Sequence, residues 1–465
     1  MNMINVRRLT VMTFLGAGML SSISAQVSPL QVDTLKETKI PAQWDLQSCI
    51  DYAKEQNITI RKNRITAAST QIDVKTAKAA LFPSLSFSTS QQVVNRPYQE
   101  TSSRVSGNEI ISSNSKTSYN GNYGLNASWT LYNGNKRLKT IQQEKLNNQV
   151  AELDVATSEN SIQESIAQIY IQILYAAESV RVNENTLQVS IAQRDRGQEL
   201  LNAGSIAKSD FAQLEAQVST DRYQLVTAQA TLEDYKLQLK QLLELDGENE
   251  MNVYLPALSD ENVLLPLPTK KDVYMSALTL RPEIEASKLS VEASELGIDI
   301  AKAGYLPTIS LSAGIGTNHT SGSDFTFGEQ VKNGWNNSIG VSVSVPIFNN
   351  RQTKSAVQKA KLQRETSLLS LLDEQKTLYK TIEGLWLDAN SAQQRYAAAN
   401  EKLRSTQISY DLISEQFNLG MKNTVELLTE KNNLLQAQQE QLQAKYMAIL
   451  NTQLLKFYQG DKLAL

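Results

Sequence analysis

Side chains able to do chemistry are scarce in this 465-residue chain. One histidine, His319, and one cysteine, Cys49, exclude a histidine relay, a Cys–His pair, an intrachain disulfide and a thiolate metal cluster. No Gly-rich loop built to cradle phosphate occurs. Acids and bases are nearly balanced, 45 Lys+Arg against 48 Asp+Glu, and a net charge of −3 offers no footprint for nucleic acid. Cys49 reads as a small buried group on a helix, and His319 as a surface residue in a loop. The best-defined local constellation is Asn423-Thr-Val-Glu426, an N-cap followed by an acid, which satisfies free helix N–H groups and need do no chemistry. The sequence predicts no catalytic residue, no metal and no cofactor. The chain does not read as an enzyme.

The elements that carry these residues begin with an export signal. Arg7 and Arg8, the apolar run Leu9 to Leu20 and the small residues ending at Ala25 predict a signal peptide over 1–25. With no Cys at the cleavage point, the mature chain is expected not to be lipidated. Only 6% of residues are aromatic and the mean hydropathy is −0.34, which excludes a bundle of membrane-spanning helices.

The mature chain repeats itself. Residues 79–86 answer 303–310 at a shift of 224, Leu131-Tyr-Asn-Gly134 answers Ile347-Phe-Asn-Asn350 at 216, and Leu201-Asn-Ala-Gly204 answers Phe417-Asn-Leu-Gly420 at 216. This predicts a first repeat over 26–245, a Pro-containing linker over 246–270 with Pro256, Pro266 and Pro268, and a second repeat over 271–465. Each copy runs helix, strand, loop, strand, very long helix, Gly-containing break and return helix.

Strands are predicted at about 83–95, 119–131, 307–317 and 337–347 from strict alternation. Leu85, Phe87, Tyr123, Leu125, Trp129 and Leu131 share one face in the first repeat. Ile309, Leu311, Ile339, Val341, Val343 and Val345 share it in the second. The other face is Ser, Asn, Thr and Gly. Such runs match tilted membrane strands, with the apolar set toward lipid and the polar set toward a watery lumen. Pro83, Pro307 and Pro346 sit where helix and strand geometry meet. Four strands do not close a barrel, and lipid tolerates no open edge, so protomers must pool them. Closure demands an oligomer without choosing its order.

Long helices are predicted at 135–201 and 351–419, each roughly 100 Å at about 1.5 Å per residue. Their apolar positions step by four and three, as in Ile162, Ile166, Ile169, Ile173, Ala176 and Val180. Return helices over 205–245 and 423–459 cover about half of each, and helices over 45–81 and 271–305 are placed to cover the rest. Gly204 and Gly420 suit tight left-handed turns between helices.

Several stretches, taken in order over about 45–459, carry a family resemblance. They are the junction 74–86 with its echo 298–310, Arg281-Pro-Glu-Ile-Glu-Ala286, the strand exits 131–134 and 345–349, and the turns 201–205 and 417–421 followed by Thr424-Val-Glu-Leu-Leu428. The chain resembles the TolC-like outer membrane factor family. The resemblance implies a mainly α protomer with a transmembrane β-barrel part: a homotrimer whose twelve-stranded barrel in the Gram-negative outer membrane continues into a long periplasmic α-helical barrel. The loops 95–118 and 317–336 would face outside and the linker would lie midway along the helices. The implied function is the exit duct of a tripartite efflux pump, joined to a periplasmic adaptor (membrane fusion) protein and an inner-membrane pump of resistance-nodulation-division or ABC type.

Site residues follow from the resemblance. The adaptor would dock on Asn202, Ala203, Gly204, Ser205, Asn418, Leu419, Gly420 and Met421. The periplasmic gate would involve Phe417, Lys422, Glu426 and Thr429, with Asp210 near the other tip. Some members carry tyrosine, arginine and two aspartates at the first four; here Phe417 lacks the phenol and Thr429 the charge. Two alternatives stand beside efflux. One is the outer-membrane component of type I protein secretion. The other is a secreted coiled-coil interaction protein, which explains the heptads but not the duplicated strand pairs.

Overall fold

Asn57 and Arg281 lie 224 residues apart, and the chain breaks a helix at each of them. The structure, a computed structural model, describes residues 41–463 apart from 99–101, 107–108, 114–115, 247–250, 257–262, 322 and 324, with backbone alone over 102–106 and 109–113. The predicted signal peptide, 1–25, lies outside the described residues. The elements in order are α1 (Leu46–Gln56), α2 (Ile58–Ala79), β1 (Ser84–Asn95), β2 (Ser102–Ser106), β3 (Glu109–Ser113), β4 (Thr117–Asn133), α3 (Lys136–Asn202) and α4 (Lys208–Leu242). Then follow α5 (Lys270–Leu280), α6 (Pro282–Lys302), β5 (Thr308–Thr320), α7 (Phe327–Asn333), β6 (Asn336–Ser344), α8 (Gln352–Asn418) and α9 (Thr424–Gln459).

The helices expected as continuous over 45–81 and 271–305 are therefore each broken once. Asn57 caps α2, its Oδ1 accepting from the backbone N–H of Thr59 at 2.9 Å and of Ile60 at 3.3 Å, while Nδ2 donates to the Leu242 carbonyl at 3.0 Å. At the second break Pro282 opens α6, where a missing N–H costs nothing. The long helices α3 and α8 have 67 residues each, about 100 Å. As expected, each long helix changes partners along its length. α3 meets α2 and α6 over one half (Arg64–Glu159 2.8 Å; Gln143 Nε2 to the Ala293 carbonyl 2.9 Å) and α4 over the other. α8 meets α6 (Arg364–Glu295 3.0 Å) and then α9 (Lys402–Glu440 2.7 Å).

β1, β4, β5 and β6 form one antiparallel sheet in that order. Its register aligns the alternation across all four strands. Leu85, Ala127, Ala313 and Ile339 make one row on the apolar face, and Ser84, Ser128, Ser312 and Gly340 one row on the polar face. Among the described residues both faces stand open along most of the sheet, and α7 covers only the end of β5. Leu85 is 70% exposed, Phe87 68% and Ile339 78%. A β-bulge between Thr130 and Tyr132 shifts the parity, so Tyr132, not Leu131, stands opposite Ile309. The segments expected as loops carry structure: β2 pairs with β3 inside 95–118, and α7 lies inside 317–336.

His319 corrects the expectation of a surface loop residue. It sits near the end of β5, buried, with Tyr119, Tyr123 and Phe327 at ring-centroid distances of 5.2, 5.8 and 5.1 Å. Gly121 stands opposite, and a Cβ there would meet the imidazole Cε1 at 2.1 Å. The longer strand and the α7 cover, not the imidazole's polarity, decide its burial.

Away from the sheet, the main core gathers around the middle of the long helices. Ile166, Tyr170, Ile173 and Leu174 of α3 pack with Cys49 and Ile50 of α1 and with Leu442 and Leu450 of α9. Cys49 is fully buried as expected, and burial pushes its thiol up to about 12. Described residues of the segment between the repeats meet the helices there. Gln393 donates to the carbonyls of Val263 and Leu265 at 2.9 and 2.8 Å, and Trp386 Nε1 to that of Pro268 at 3.0 Å. Arg281 pairs with Glu164 at 2.6 Å and Glu283 at 3.0 Å, and its guanidinium lies 3.8 Å from the Tyr458 ring centroid. Burial raises the Glu164 carboxyl while Arg281 pulls it down.

Asn57→Ala removes a cap worth about 1 kcal/mol and strips the Leu242 carbonyl of its partner, which adds about 1–3 kcal/mol. The thermal unfolding midpoint of the detergent-solubilised protein is expected to fall. Asn57→Asp, which keeps the acceptor and loses the donor, should fall between the variant and the wild type.

Candidate functional site

The two helix turns are built alike, 216 residues apart. α3 ends with Gly204 at φ +74°, Ser205 N–H bonding the Leu200 carbonyl at 2.8 Å; α8 ends with Gly420 at φ +72°, Met421 N–H bonding the Gln416 carbonyl at 2.8 Å. These are Schellman closures, which need a residue free to adopt left-handed backbone. Both glycines face open space. The tips differ in surface: Leu419, Met421 and Val425 stand exposed on the second, whereas the first presents Ala203 and Ser205.

The acids that follow the turns occupy matching positions. Glu426 N–H donates to Asn423 Oδ1 at 2.9 Å and Asn423 N–H to Glu426 Oε2 at 3.2 Å, a complete capping box. Asp210 accepts from Ala207 N–H at 3.3 Å, but Ala207 has no acceptor to return. Lys422 Nζ lies 2.5 Å from Glu426 Oε1. That bond, and the Asn423 N–H, hold the Glu426 carboxyl below the usual range. This bonding is fully present above the ordinary carboxylate pKa and is lost as pH falls through the lowered value. Of the other gate candidates, Phe417 is buried, and Thr429 is exposed with its hydroxyl bonded to the Val425 carbonyl at 2.8 Å. Lys422 and Glu426 are thus brought together.

One ionic site escaped the sequence reading. Lys431 of α9 donates to Asp221 of α4 and to the Ser190 hydroxyl of α3, and Ser190 in turn donates to Asp221. The Lys431 and Asp221 side chains are only 4% and 2% exposed. Gln217 Nε2 adds a bond to Asp221 Oδ1 at 2.9 Å. Burial pulls the Lys431 ammonium down while Asp221 holds it up. Each of the three takes a core position on its helix: Leu187–Ser190, Val218–Asp221 and Leu427–Lys431 continue buried runs at steps of three or four. Polar residues in phase with a heptad were the signal that could have found them.

Paired helical hairpins joined to a four-stranded sheet with open edges are the protomer fold of the TolC-like outer-membrane channels. Comparison with known proteins agrees. The sequence profile of the outer membrane efflux protein family matches residues 49–244 and 273–460. Outer membrane efflux protein BepC of Brucella suis is 25% identical, the match covering 63% of this chain and 61% of BepC. TolC of Escherichia coli is also 25% identical, over 65% of this chain and 62% of TolC. The chain therefore spans less than two thirds of the length of these two relatives. A crystal structure of CusC superposes with a TM-score of 0.75 at 18% identity, covering 92% of this chain and 96% of that one. The chain belongs to the outer membrane efflux protein family.

Gly420→Val forces a branched residue into left-handed backbone, at a cost of about 1–2 kcal/mol or more, with no packing to relieve. Limited trypsinolysis should cut faster at Lys422 than in wild type, while the mid-helix core stays resistant. Equal cutting would show that the turn does not depend on glycine.

Proposed function

We propose that the chain is the exit duct of a tripartite efflux pump, conducting substrates passively from the periplasm across the outer membrane of a Gram-negative bacterium. The observation that carries this reading is the sheet. It is apolar on one face and Ser/Asn/Gly on the other, open along most of both, and its outer strands β1 and β6 each lack a second partner among the described residues. Strands of 9 to 17 residues are long enough to cross a bilayer when tilted. Three copies joined β1 to β6 would close a twelve-stranded barrel, satisfy every edge group and turn the apolar face to lipid. The family description and the name of BepC support the efflux reading.

The turns at 202–205 and 418–421 are then the docking ends for a periplasmic adaptor, which links the duct to an inner-membrane pump of resistance-nodulation-division or ABC type. Lys422 and Glu426 lie beside one of them, and a ring of Glu426 carboxylates around a narrow mouth favours cations. Phe417, Thr429 and Asp210 complete the gate region.

Two experiments test this reading. The protein should leave membranes only with detergent and run at three times its protomer mass; a monomer soluble without detergent sinks the proposal. In planar bilayers it should give discrete conductance steps. Glu426→Gln should then move the reversal potential in a salt gradient toward less cation preference, and unchanged selectivity removes Glu426 from the gate.

A further inference from the structure

The β5–β6 connection, expected to face outside as a loop, turns back onto the wall of the sheet. Phe327, Gln330 and Val331 fall on one side of α7 and meet the last residues of β5. The Phe327 ring stands 5.1 Å from that of His319, the Thr317 hydroxyl donates to the Val331 carbonyl at 2.7 Å, and the Thr320 N–H donates to Gln330 Oε1 at 2.8 Å. Thr317 and His319 share strand parity with Leu311 and Ile315, so α7 lies on the apolar face of the sheet and not on the polar one. There it covers His319, whose buried Nδ1 has no hydrogen-bond partner among the described residues. A polar ring left bare to acyl chains is costly, and α7 keeps it from them.

Two large rings beside this contact stay open. Phe327 and Trp335 are both exposed. Trp335 has the parity of Ile339, Val341, Val343 and Val345, and it extends their row toward the hairpin end of the sheet, away from the helices. The ten residue steps from Trp335 to Val345, at about 3.3 Å each and tilted by about 40°, rise roughly 25 Å, the height of the apolar band of a membrane barrel. Trp335 therefore falls at the outer edge of that band, the level that suits an apolar ring with a polar N–H. Glu329 and Lys332 are exposed on the side of α7 turned away from β5, where headgroups can solvate them. We propose that the β5–β6 connection is a membrane-interface element: α7 lies against the outer wall of the barrel at headgroup level, with Phe327 and Trp335 set into the acyl chains of the outer leaflet. The proposal rests on the exit-duct reading, which supplies the barrel and its lipid face. It adds that this connection closes the apolar band instead of standing clear of it in water.

The test reconstitutes the full-length protein into phosphatidylcholine vesicles whose acyl chains carry bromine either close to the headgroup or close to the methyl end. Tryptophan emission is compared between wild type, Trp335→Phe and Trp129→Phe. Of the four tryptophans, Trp44 is buried and Trp386 is bonded to Pro268 in the mid-helix region, which leaves Trp129 and Trp335 on the sheet. Trp335→Phe should lower the bromine-quenched part of the emission by about half, and by more with the bromine close to the headgroup than with the deep one. If Trp335→Phe does not assemble, Trp335→Tyr, which keeps a polar tip on an apolar ring, gives the same difference. A Trp335 share quenched by aqueous iodide and not by bromine means a loop in water. A share quenched by neither means cover by the exterior loops of a second copy, and a share quenched more by the deep bromine puts the ring below headgroup level. Each of these overturns the interface element and leaves the duct standing, provided that Trp129→Phe still removes a bromine-quenched share of its own. Loss of bromine quenching at both tryptophans overturns the duct reading and the interface element together.

Discussion

Unsatisfied strand edges are the constraint on which the rest of this structure depends. A four-stranded sheet has two outer strands, and here nothing in the described chain pairs with the free side of either β1 or β6. Among the described residues only α7 covers part of a face, so a sheet with Leu85, Phe87, Ile339 and Val341 in the open is not a finished object in water. A soluble sandwich solves the problem by packing a second sheet on the apolar face. Most of the other described residues lie in helices that pack on one another, so the edges of the sheet are left for other chains to pair with, and the proposed closure by copies of this chain would meet that need.

The helices solve a different problem. A 67-residue helix cannot bury a stripe against one partner of 35 or 36 residues. The duplicated plan supplies a second partner for the other half, and the handover falls in mid-helix. There α1, α5, the linker and the end of α9 converge, and the large apolar clusters form there. Stability concentrated at the middle leaves the turns free to be shaped by contact chemistry rather than by core packing.

Much of this was legible in the sequence because it rests on period. The strand parity, the 224 and 216 shifts, the long proline-free helices and both glycine turns appear within a residue or a few of where the pattern placed them. What escaped reading has identifiable causes. Asn57 breaks a helix through a bond to Leu242, 185 residues away, which no local propensity records. A bulge at Leu131 shifts the pairing of the residues after it without changing composition. His319 is buried by a short helix and by the absence of a side chain at Gly121, a vacancy visible only across strands. At the tips, the Asn423–Glu426 cap is local and was legible. The Lys431 site needs three helices from two repeats, and each of its members looks alone like an interruption of a heptad.

That last contrast bears on how such a chain keeps one structure. Heptad seams made only of Ala, Leu and Ile would be indifferent to sliding by a turn and resistant to opening. A buried lysine that finds its carboxylate at a single level specifies register, as polar core residues do in coiled coils. The same pair contributes little net free energy against a wetted alternative, so the stretch that carries it is well defined without being strongly held. The contact joins α9 to α3 and α4 at one level, so it fixes register between the two repeats where the apolar pattern alone does not.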